Sequence, residues 1–595
     1  MERRHFLDVS RSVTGRGWVD RIDDAGARAA AAMVQKAEIS EILARILAGR
    51  GVAADAAKLH LNPTLRDLMP DPSTLVGMEA MVARLAAAVR NKEHVALFGD
   101  YDVDGACSAA LMARYLGGLG LKPRIYIPDR VFEGYGPNVA AMDALIKDGA
   151  SLIVTLDCGT TSHEPIAHAK ARGADVLVID HHLAGEALPT ADAIVNPNRR
   201  DDVSGLGFLC AAGVTFMVLV GLNRALRTEG LNEGVPDLMS LIDLVGLATV
   251  ADVVPLRDLN RAFILRGLDA MRRGANPGIA ALAMASRLSG PVNTYHLSFM
   301  IGPRINAGGR IGNAALGATL LSSDDPIEID DISQELDKLN EERRAIEQDA
   351  LEVAMATAEA EIGEGEGPPV LVAASPGWHQ GVVGLIASRL RERFDRPAFA
   401  IAQLANGSGV GSGRSIPGVD LGSAVLAAVA SGLLEKGGGH AMAAGITLGV
   451  GRLPDFRAFI AERLADSVRA AREDKSLHID AAMTARAATT DLFHDIERAG
   501  PFGAGNPQPV FVLPNHRIGF ADIVGRGGHV RATLVSGDRA NLKAIAFRAA
   551  GTPLGNALLE ARGEKPLHVA GSLSLDHWNG RESAQLRILD AAHPA

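Results

Sequence analysis

Between residues 94 and 179, short apolar runs alternate with stretches of helical spacing. The runs 94–98, 124–128, 151–156 and 175–179 have strand length, while 108–119 and 139–147 repeat their apolar residues at helical intervals. Such alternation predicts β-α-β units around a parallel sheet, with the chemistry just past the carboxyl ends of the strands. From 332 to 362 the pattern changes. Leu336, Leu339, Ile346, Ala350 and Val353 fall on one helical face among many Glu, Asp and Arg residues, and no Gly or Pro intervenes before Gly363. The apolar spacing keeps no strict heptad, so a single helix linking two domains is expected rather than a coiled coil. A second α/β unit runs from 370 to about 500, with strands expected at 368–374 and 397–402. After Gly500-Pro501-Phe502-Gly503, five strand-like segments at 509–513, 529–535, 542–547, 567–575 and 584–589 predict a small barrel of OB type. The Ala-rich beginning, 1–70, reads as a helical packing extension.

Composition sharpens this picture in two places. With 595 residues, 47% of them hydrophobic and 22% charged, the chain can bury several cores, and its length predicts three or four compact units. Cys107, Cys158 and Cys210 are too few for a disulfide framework and lack C-x-x-C spacing, so a reducing, cytoplasmic setting is expected. The first eight residues contain no apolar signal core, and stretches such as 214–222 fall short of the ~20 residues of a membrane span. A soluble protein without membrane attachment follows.

Net charge is −10, which at first argues against a nucleic-acid partner. The distribution reverses that inference. Between Asp324 and Glu366 there are sixteen acidic residues and three basic ones, a local −13 that leaves the remainder of the chain at +3. From Phe511 onward, ten Lys and Arg face seven Asp and Glu. The acidity belongs to the linking helix, away from where DNA would run.

Each well-marked strand end of the first α/β unit carries acidic or histidine groups. They are Asp100-Tyr101-Asp102-Val103-Asp104-Gly105, Asp157-Cys158-Gly159 and Asp180-His181-His182. A fourth cluster, around Asp252, ends an apolar helical run that begins at Leu238. Alone, an Asp-x-Asp-x-Asp-Gly run is equally a Ca²⁺ loop or a solvated turn, and a His-His pair is more often surface than ligand. Together they imply one crevice. Carboxylates 4 Å apart repel by about 1 kcal/mol per pair even in water, and divalent cations remove that repulsion. Mixed Asp oxygens and His nitrogens suit Mn²⁺, and two ions ~3.5–4 Å apart can generate a hydroxide nucleophile and polarise a phosphoryl group. His163 and His168 lie in a helical stretch without such context and read as structural, as does Cys158.

These four motifs resemble those of the DHH phosphoesterase superfamily. The resemblance continues through Gly302-Pro303-Arg304-Ile305-Asn306-Ala307-Gly308-Gly309-Arg310, Trp378-His379-Gln380-Gly381, Gly411-Ser412-Gly413-Arg414-Ser415, Gly437-Gly438-Gly439-His440, Gly503-Ala504-Gly505-Asn506-Pro507 and Trp578-Asn579-Gly580-Arg581. In that order the series is similar to the bacterial single-strand-specific 5′→3′ DNA exonucleases, over nearly the whole chain. The one departure is Gly308-Gly309 where Ala-Gly is the expected pair; it is taken to add flexibility beside Arg310.

The resemblance implies an N-terminal extension (1–70), a DHH domain (71–323), a connecting helix (324–367), a DHHA1 domain (368–508) and an OB-type domain (509–595). It implies two divalent ions, Mn²⁺ preferred or Mg²⁺, held by Asp102, Asp104, Asp157, His181 and Asp252, with Asp157 bridging. Asp100 and His182 belong to the same motifs as ligands or catalytic groups. His379 and His440 would contact phosphate near the scissile bond, either of them able to donate a proton to the leaving group. Ser412 and Arg414, read as lying in a Gly-rich loop, would bind a 5′-phosphate with Arg130 and Arg310, and Arg304 would be a further substrate-binding residue. Trp578 is the leading stacking residue for single-stranded DNA. Phe520 and Phe547 are weaker candidates, because most Phe in a small barrel is core. A monomer is implied, with single-strand-binding protein and a RecQ-type helicase as partners. Short-oligonucleotide or cyclic-dinucleotide phosphodiesterases and a non-catalytic DNA-binding scaffold are the alternatives within the superfamily. An RNA exonuclease of the same layout stays open, since no 2′-hydroxyl discrimination is legible.

Overall fold

The computed structural model describes residues 5–594 except 131, 232–233, 289, 364, 474, 526, 564 and 579–580, and excludes the side chains of 577–581. It divides into two compact units. One joins 1–68, 255–261 and 475–595; the other joins 69–254 and 262–474.

The first unit contains both ends of the chain. Its strand β1 (Gly17–Asp20) corrects the wholly helical expectation for 1–70. Trp18, fully buried, gives this short segment the apolar anchor that outweighs its Ala-rich surroundings, and its Nε1 donates to Asp590 at 3.0 Å.

In the second unit, β2 (Val95–Gly99), β3 (Arg124–Tyr126), β4 (Leu152–Leu156), β5 (Asp175–Ile179) and β6 (Ala193–Val195) form a parallel sheet in the order β3-β2-β4-β5-β6. Strands β2 and β4 are buried throughout, as expected of strands covered on both faces. The chain leaves β2 toward β3 on one side and returns to β4 on the other. That reversal opens a crevice at the carboxyl ends of β2 and β4, where ligands settle in such sheets. Helices α1 (Val103–Gly118), α2 (Ala211–Thr228), α3 (Ile242–Ala251) and α4 (Gly302–Ile311) surround this end.

The long helix α5 spans Pro326–Ile362, starting six residues before the expected 332 because Asp325 caps it and Pro326 occupies its first turn. It packs against α4 and then against β7 (Leu371–Ser375) and α6 (Val383–Phe394) of a second sheet. That sheet adds β8 (Ala398–Gln403), β9 (Ser408–Arg414), β10 (Lys436–His440) and β11 (Ala443–Gly449), in the order β10-β11-β9-β8-β7.

Ser412 and Arg414 therefore stand on a strand, not in a loop, and His440 ends another. Glycine hid these strands from a sequence reading, yet β9 alternates buried and half-buried positions along its whole length. A Cβ at Gly413 would lie 2.5 Å from Phe399 and 2.7 Å from Leu421, so glycine is required by close packing rather than by a turn. Likewise Gly308 and Gly309 are buried inside α4. A Cβ on Gly309 would approach the Tyr101 carbonyl to 2.6 Å, so the pair allows tight packing and not the expected flexibility.

The remaining strands belong to the first unit: β12 (Ser476–Ile479), β13 (Ala481–Ala482), β14 (Phe511–Val524), β15 (His529–Val535), β16 (Asn541–Ala546), β17 (Leu567–Trp578) and β18 (Arg581–Ala592). β12 pairs in parallel with β1, and the others form a six-stranded sheet that the β14–β17 pairing closes into a barrel. Among the described residues, no helix is long and apolar enough to cross a membrane.

Candidate functional site

The crevice at the ends of β2 and β4 gathers the carboxylates. Asp100 follows β2, and Asp102 caps α1 by accepting the amides of Asp104 and Gly105 at 2.9 and 3.1 Å through one oxygen. This turn is tight: a Cβ on Gly105 would sit 2.4 Å from the Asp100 carbonyl. Asp157 follows β4 with a positive φ of 63°, a conformation disfavoured for a non-glycine residue and tolerated where surrounding structure enforces it.

Three sets of groups each bring their ligand atoms within 4.8 Å of one another: Asp157 with His181 and His182, Asp104 with His181 and Asp252, and Asp100 with Asp102 and Asp157. His181 Nε2 lies 3.3 Å from Asp157, 3.6 Å from Asp252 and 3.8 Å from Asp104. Asp157 and His181 thus each belong to two sets. Asp100 Oδ1, Asp157 Oδ1 and Asp252 Oδ2 are buried without a hydrogen-bond partner. Unpaired buried carboxylate oxygens are costly, and cations resolve that cost.

Electrostatics agree. Burial raises the carboxyls of Asp100, Asp157 and Asp252 well above the ordinary range, and the neighbouring carboxylates add to the effect. Asp104 is raised less: burial and Asp102 act against its charge, while His181 and the Ala211 and Ala212 amides oppose them. Those amides, at the N-terminus of α2, donate to Asp104 at 2.6 and 2.8 Å. Burial, aided by His182, holds the His181 imidazole below its usual value and so neutral, the form a metal requires.

Sequence reasoning gave no role to Asp180, Tyr135, Asn196 or Asn198. Asp180 accepts from the amides of Thr160, His181 and His182 and from His182 Nδ1 at 2.8 Å, while the Tyr135 hydroxyl lies 3.4 Å from His182 Nε2. Burial alone would raise Asp180, but the His182 hydrogen bond and charge, with the Thr160 bonds, hold it below the carboxylate range. His182 is raised in turn, its burial outweighed by the Asp180 hydrogen bond and charge. Asn196 and Asn198 donate to the His182 and His181 carbonyls, and the Tyr135 hydroxyl lies 3.2 Å from His182. An acidic residue directly before the two histidines was the only sequence signal for any of these roles.

Opposite the carboxylates stand the arginines. Arg130 lies 5.1 Å over the Tyr101 ring, and Arg310 donates to the Gly381 carbonyl at 3.1 Å. Burial, then the like charges of Arg130, Arg343 and Arg414, pushes Arg310 down to about 10. Arg414 is lowered by burial and by Arg130, and it donates to Ser412 at 2.6 Å beside the start of α6, where a Cβ on Gly384 would lie 2.9 Å from it. Arg304 is not brought into this cluster. Its guanidinium is held by Asp337 at 2.7 Å and by the Met300 carbonyl. His379 is half-buried, with Nδ1 accepting the Gly381 amide at 3.1 Å, while His440 is exposed. The Trp578 side chain lies outside the described residues. Phe547, read as more probable core, is half exposed instead, because it follows the last inward residue of β16. His168 is tied to Asp143 at 2.9 Å and Cys158 is buried, both structural as expected.

Carboxylates and paired histidines at the ends of a parallel sheet, with an arginine cluster that Arg130 and Arg310 share with Arg414 of a second sheet, define a phosphoesterase of the DHH class. Family models match accordingly: the DHH family N-terminal domain over residues 94–249, the DHHA1 domain over 367–466 and the RecJ OB domain over 479–590. The chain is 35% identical over 578 residues to the single-stranded-DNA-specific exonuclease RecJ of Escherichia coli, covering 94% of this chain and 96% of that protein. It is 32% identical over 565 residues to the RecJ of Bacillus subtilis, covering 94% of this chain and 69% of that protein. Its fold matches the crystal structure of RecJ in complex with Mn²⁺ from Thermus thermophilus with a TM-score of 0.78 and 27% identity, over 96% of this chain and 78% of that one. A second structure from the same organism, with Mg²⁺, matches at 0.73. The chain belongs to the RecJ family.

Proposed function

We propose that the chain is a metal-dependent exonuclease that degrades single-stranded DNA in the 5′→3′ direction, in recombination and repair. The observation that carries this reading is the three ligand sets linked through Asp157 and His181, with unpaired carboxylate oxygens, in the same compact unit as the arginine cluster. Asp100, Asp102, Asp104, Asp157, His181, His182 and Asp252 would hold two divalent ions, Mn²⁺ in preference to Mg²⁺, with Asp157 shared. Bound there, the ions lower the pKa of the attacking water and offset charge on the phosphoryl oxygens.

The chain's own residues do the rest. Neutral His181 offers its Nε2 lone pair, and Asp180 fixes the orientation of the His182 ring through Nδ1. The Gly381 amide donates to His379 Nδ1, so the neutral ring carries its proton on Nε2, from where it donates a hydrogen bond to a phosphate oxygen near the scissile bond. Arg130, Arg310, Ser412 and Arg414 bind the terminal 5′-phosphate, for which buried guanidiniums are suited. That phosphate anchors the strand end and sets the polarity. His440 contacts phosphate at the mouth of the site, and Trp578 stacks a base on the barrel.

The barrel favours the exonuclease over smaller phosphodiesterases, which have no need of a strand-holding module. A cytoplasmic monomer fits this role. A helicase of RecQ type would supply the unwound strand, and single-strand-binding protein would present it.

One digestion series tests the proposal, using 5′- and 3′-labelled single strands, duplex and RNA with Mn²⁺, Mg²⁺ or chelator. Label should leave 5′-labelled single-stranded DNA first, only with metal, and faster from a 5′-phosphate than from a 5′-hydroxyl. Loss of the 3′ label first would refute the polarity, and equal rates on the two ends would refute the pocket. Asp157→Ala should abolish cleavage while leaving the melt of the metal-free protein in place.

A further inference from the structure

The loop between β3 and the helix Val139–Lys147 carries two residues of the site, Arg130 and Tyr135. Its middle lies outside any core: Phe132 is 88% exposed and Tyr135 50%. Gly134 and Gly136 take positive φ of 84° and 74°. Backbone of this kind samples many conformations unless polar contacts restrain it.

Glu133 supplies those contacts. Its amide and that of Gly134 donate to the Asp129 carbonyl at 2.8 and 3.2 Å. Its carboxylate takes three donors from the two ends of the loop. Oε1 accepts the Asp129 amide at 2.9 Å, while Oε2 accepts the Tyr126 hydroxyl at 2.7 Å and Asn138 Nδ2 at 3.2 Å. Two of these partners are themselves anchored. Tyr126 ends β3, with its ring stacked 5.5 Å from that of the fully buried Phe98. Asn138 caps the following helix by accepting the Ala141 amide at 2.8 Å. Burial, with the Glu133 hydrogen bond and charge, pushes the Tyr126 phenol up to about 12, which keeps it a donor. Hydrogen bonds to an ionised carboxylate are stronger than neutral ones, so three of them make an effective clamp.

The clamped loop presents its two rigidly placed groups to one ring. The Arg130 guanidinium lies 5.1 Å over the Tyr101 ring, and the Tyr135 ring meets the same ring edge-on at 6.4 Å. Tyr101 stands between Asp100 and Asp102, and its carbonyl packs against Gly309, next to Arg310. Glu133 itself is exposed and belongs to none of the ligand sets, so what its bonds govern is the loop.

We propose that Glu133 is a positioning residue for the 5′-phosphate. Its carboxylate ties the loop to the sheet and to the next helix, and so holds Arg130 over Tyr101, beside Arg310 and Arg414. The inference rests on the exonuclease reading above and its phosphate pocket, and it assigns end preference to a residue that touches no substrate.

The test is steady-state cleavage by the full chain with Mn²⁺, on single strands that differ only in a 5′-phosphate or a 5′-hydroxyl. The wild type should show the lower KM on the phosphorylated strand. Glu133→Ala should raise that KM about tenfold, the worth of one charge-assisted hydrogen bond, and leave kcat and the KM on the 5′-hydroxyl strand unchanged. Glu133→Gln keeps an oxygen for the Asp129 amide but sets N–H groups against Asn138 Nδ2, and should fall between the two. Melting temperatures should match the wild type, because the residue is exposed. A merely structural role would move both substrates alike. Full phosphate preference in Glu133→Ala overturns the assignment, as does an equal rise in KM on both strands or a raised Mn²⁺ requirement with the preference intact. A wild type without any preference overturns the phosphate pocket itself, which is a different result.

Discussion

Three peptide amides and one imidazole N–H converge on Asp180, which has no place in any of the ligand sets. Carboxylates in this position behind a histidine fix its tautomer and orientation, and their loss commonly costs 10–100-fold in metal affinity or activity. Asp180→Asn keeps the shape but sets an amide N–H against one of four donors. The exonuclease rate should fall about 10–100-fold, and Mn²⁺ titration should restore part of it at higher metal concentration. An unchanged Mn²⁺ requirement would count against this positioning role. A second buried acid carries a pH signature. Asp243, fully buried on α3, has its carboxyl raised by burial to about 6, the hydrogen bonds from Leu244 and Asn276 acting the other way. A folded-state value above the unfolded one means that the folded chain holds the proton more tightly. Asp243 then costs nothing below about pH 4 and the full penalty, on the order of 3 kcal/mol, above about pH 6. Asp243→Asn should raise the melting temperature at pH 8 and leave it unchanged at pH 4. Most of the groups that could hold a metal ion were legible because they directly follow strand ends. Tyr135 and the Ala211 and Ala212 amides were not, since only folding brings them to Asp157 and Asp104 from distant parts of the sequence.

At the scale of elements, glycine and bulges were what misled the reading. β15 runs over His529–Val535 as its alternation predicts. β14 was expected over five residues and spans fourteen, because Pro514 and Gly519 interrupt the pattern while register shifts near both carry the strand from β17 to β15. β9 was taken for a loop because its inward side chains are missing, their space filled by Phe399, Ile401 and Leu421. That packing makes a prediction. Gly413→Val would drive a side chain into Phe399 and Leu421 and should cost about 1–3 kcal/mol or more, while displacing the adjacent Arg414. The preference for 5′-phosphorylated over 5′-hydroxyl substrate should shrink along with the melting temperature. Gly445→Ala, on the neighbouring strand where a Cβ meets nothing within 4 Å, is the matched control and should change neither. A Gly413→Val chain with full stability and full end preference would show that the tight packing of β9 does not position Arg414.

For the whole molecule, composition identified the charge but not its consequences. A chain at −10 that acts on a polyanion concentrates its acidity: residues 324–366 alone carry −13, which leaves the remainder at +3. The pairing of the two chain ends in one unit, through β1 with β12 and Trp18 with Asp590, had no sequence signal, because neither segment has a composition that names its partner. The positive groups proposed to meet DNA are few: Arg130, Arg310 and Arg414, all on the terminal 5′-phosphate. Each phosphate neutralised on a single strand contributes about −0.7 to the slope of log K against log salt, so the one phosphate these arginines share should make the slope steeper by about 0.7 for 5′-phosphorylated than for 5′-hydroxyl strands, despite the acidic total. Anisotropy in chelator across a salt series measures it. Arg414→Gln should shrink that difference and leave the slope with 5′-hydroxyl strands unchanged. A wild-type affinity indifferent to salt would mean that the net charge, and not its distribution, governs the encounter with DNA.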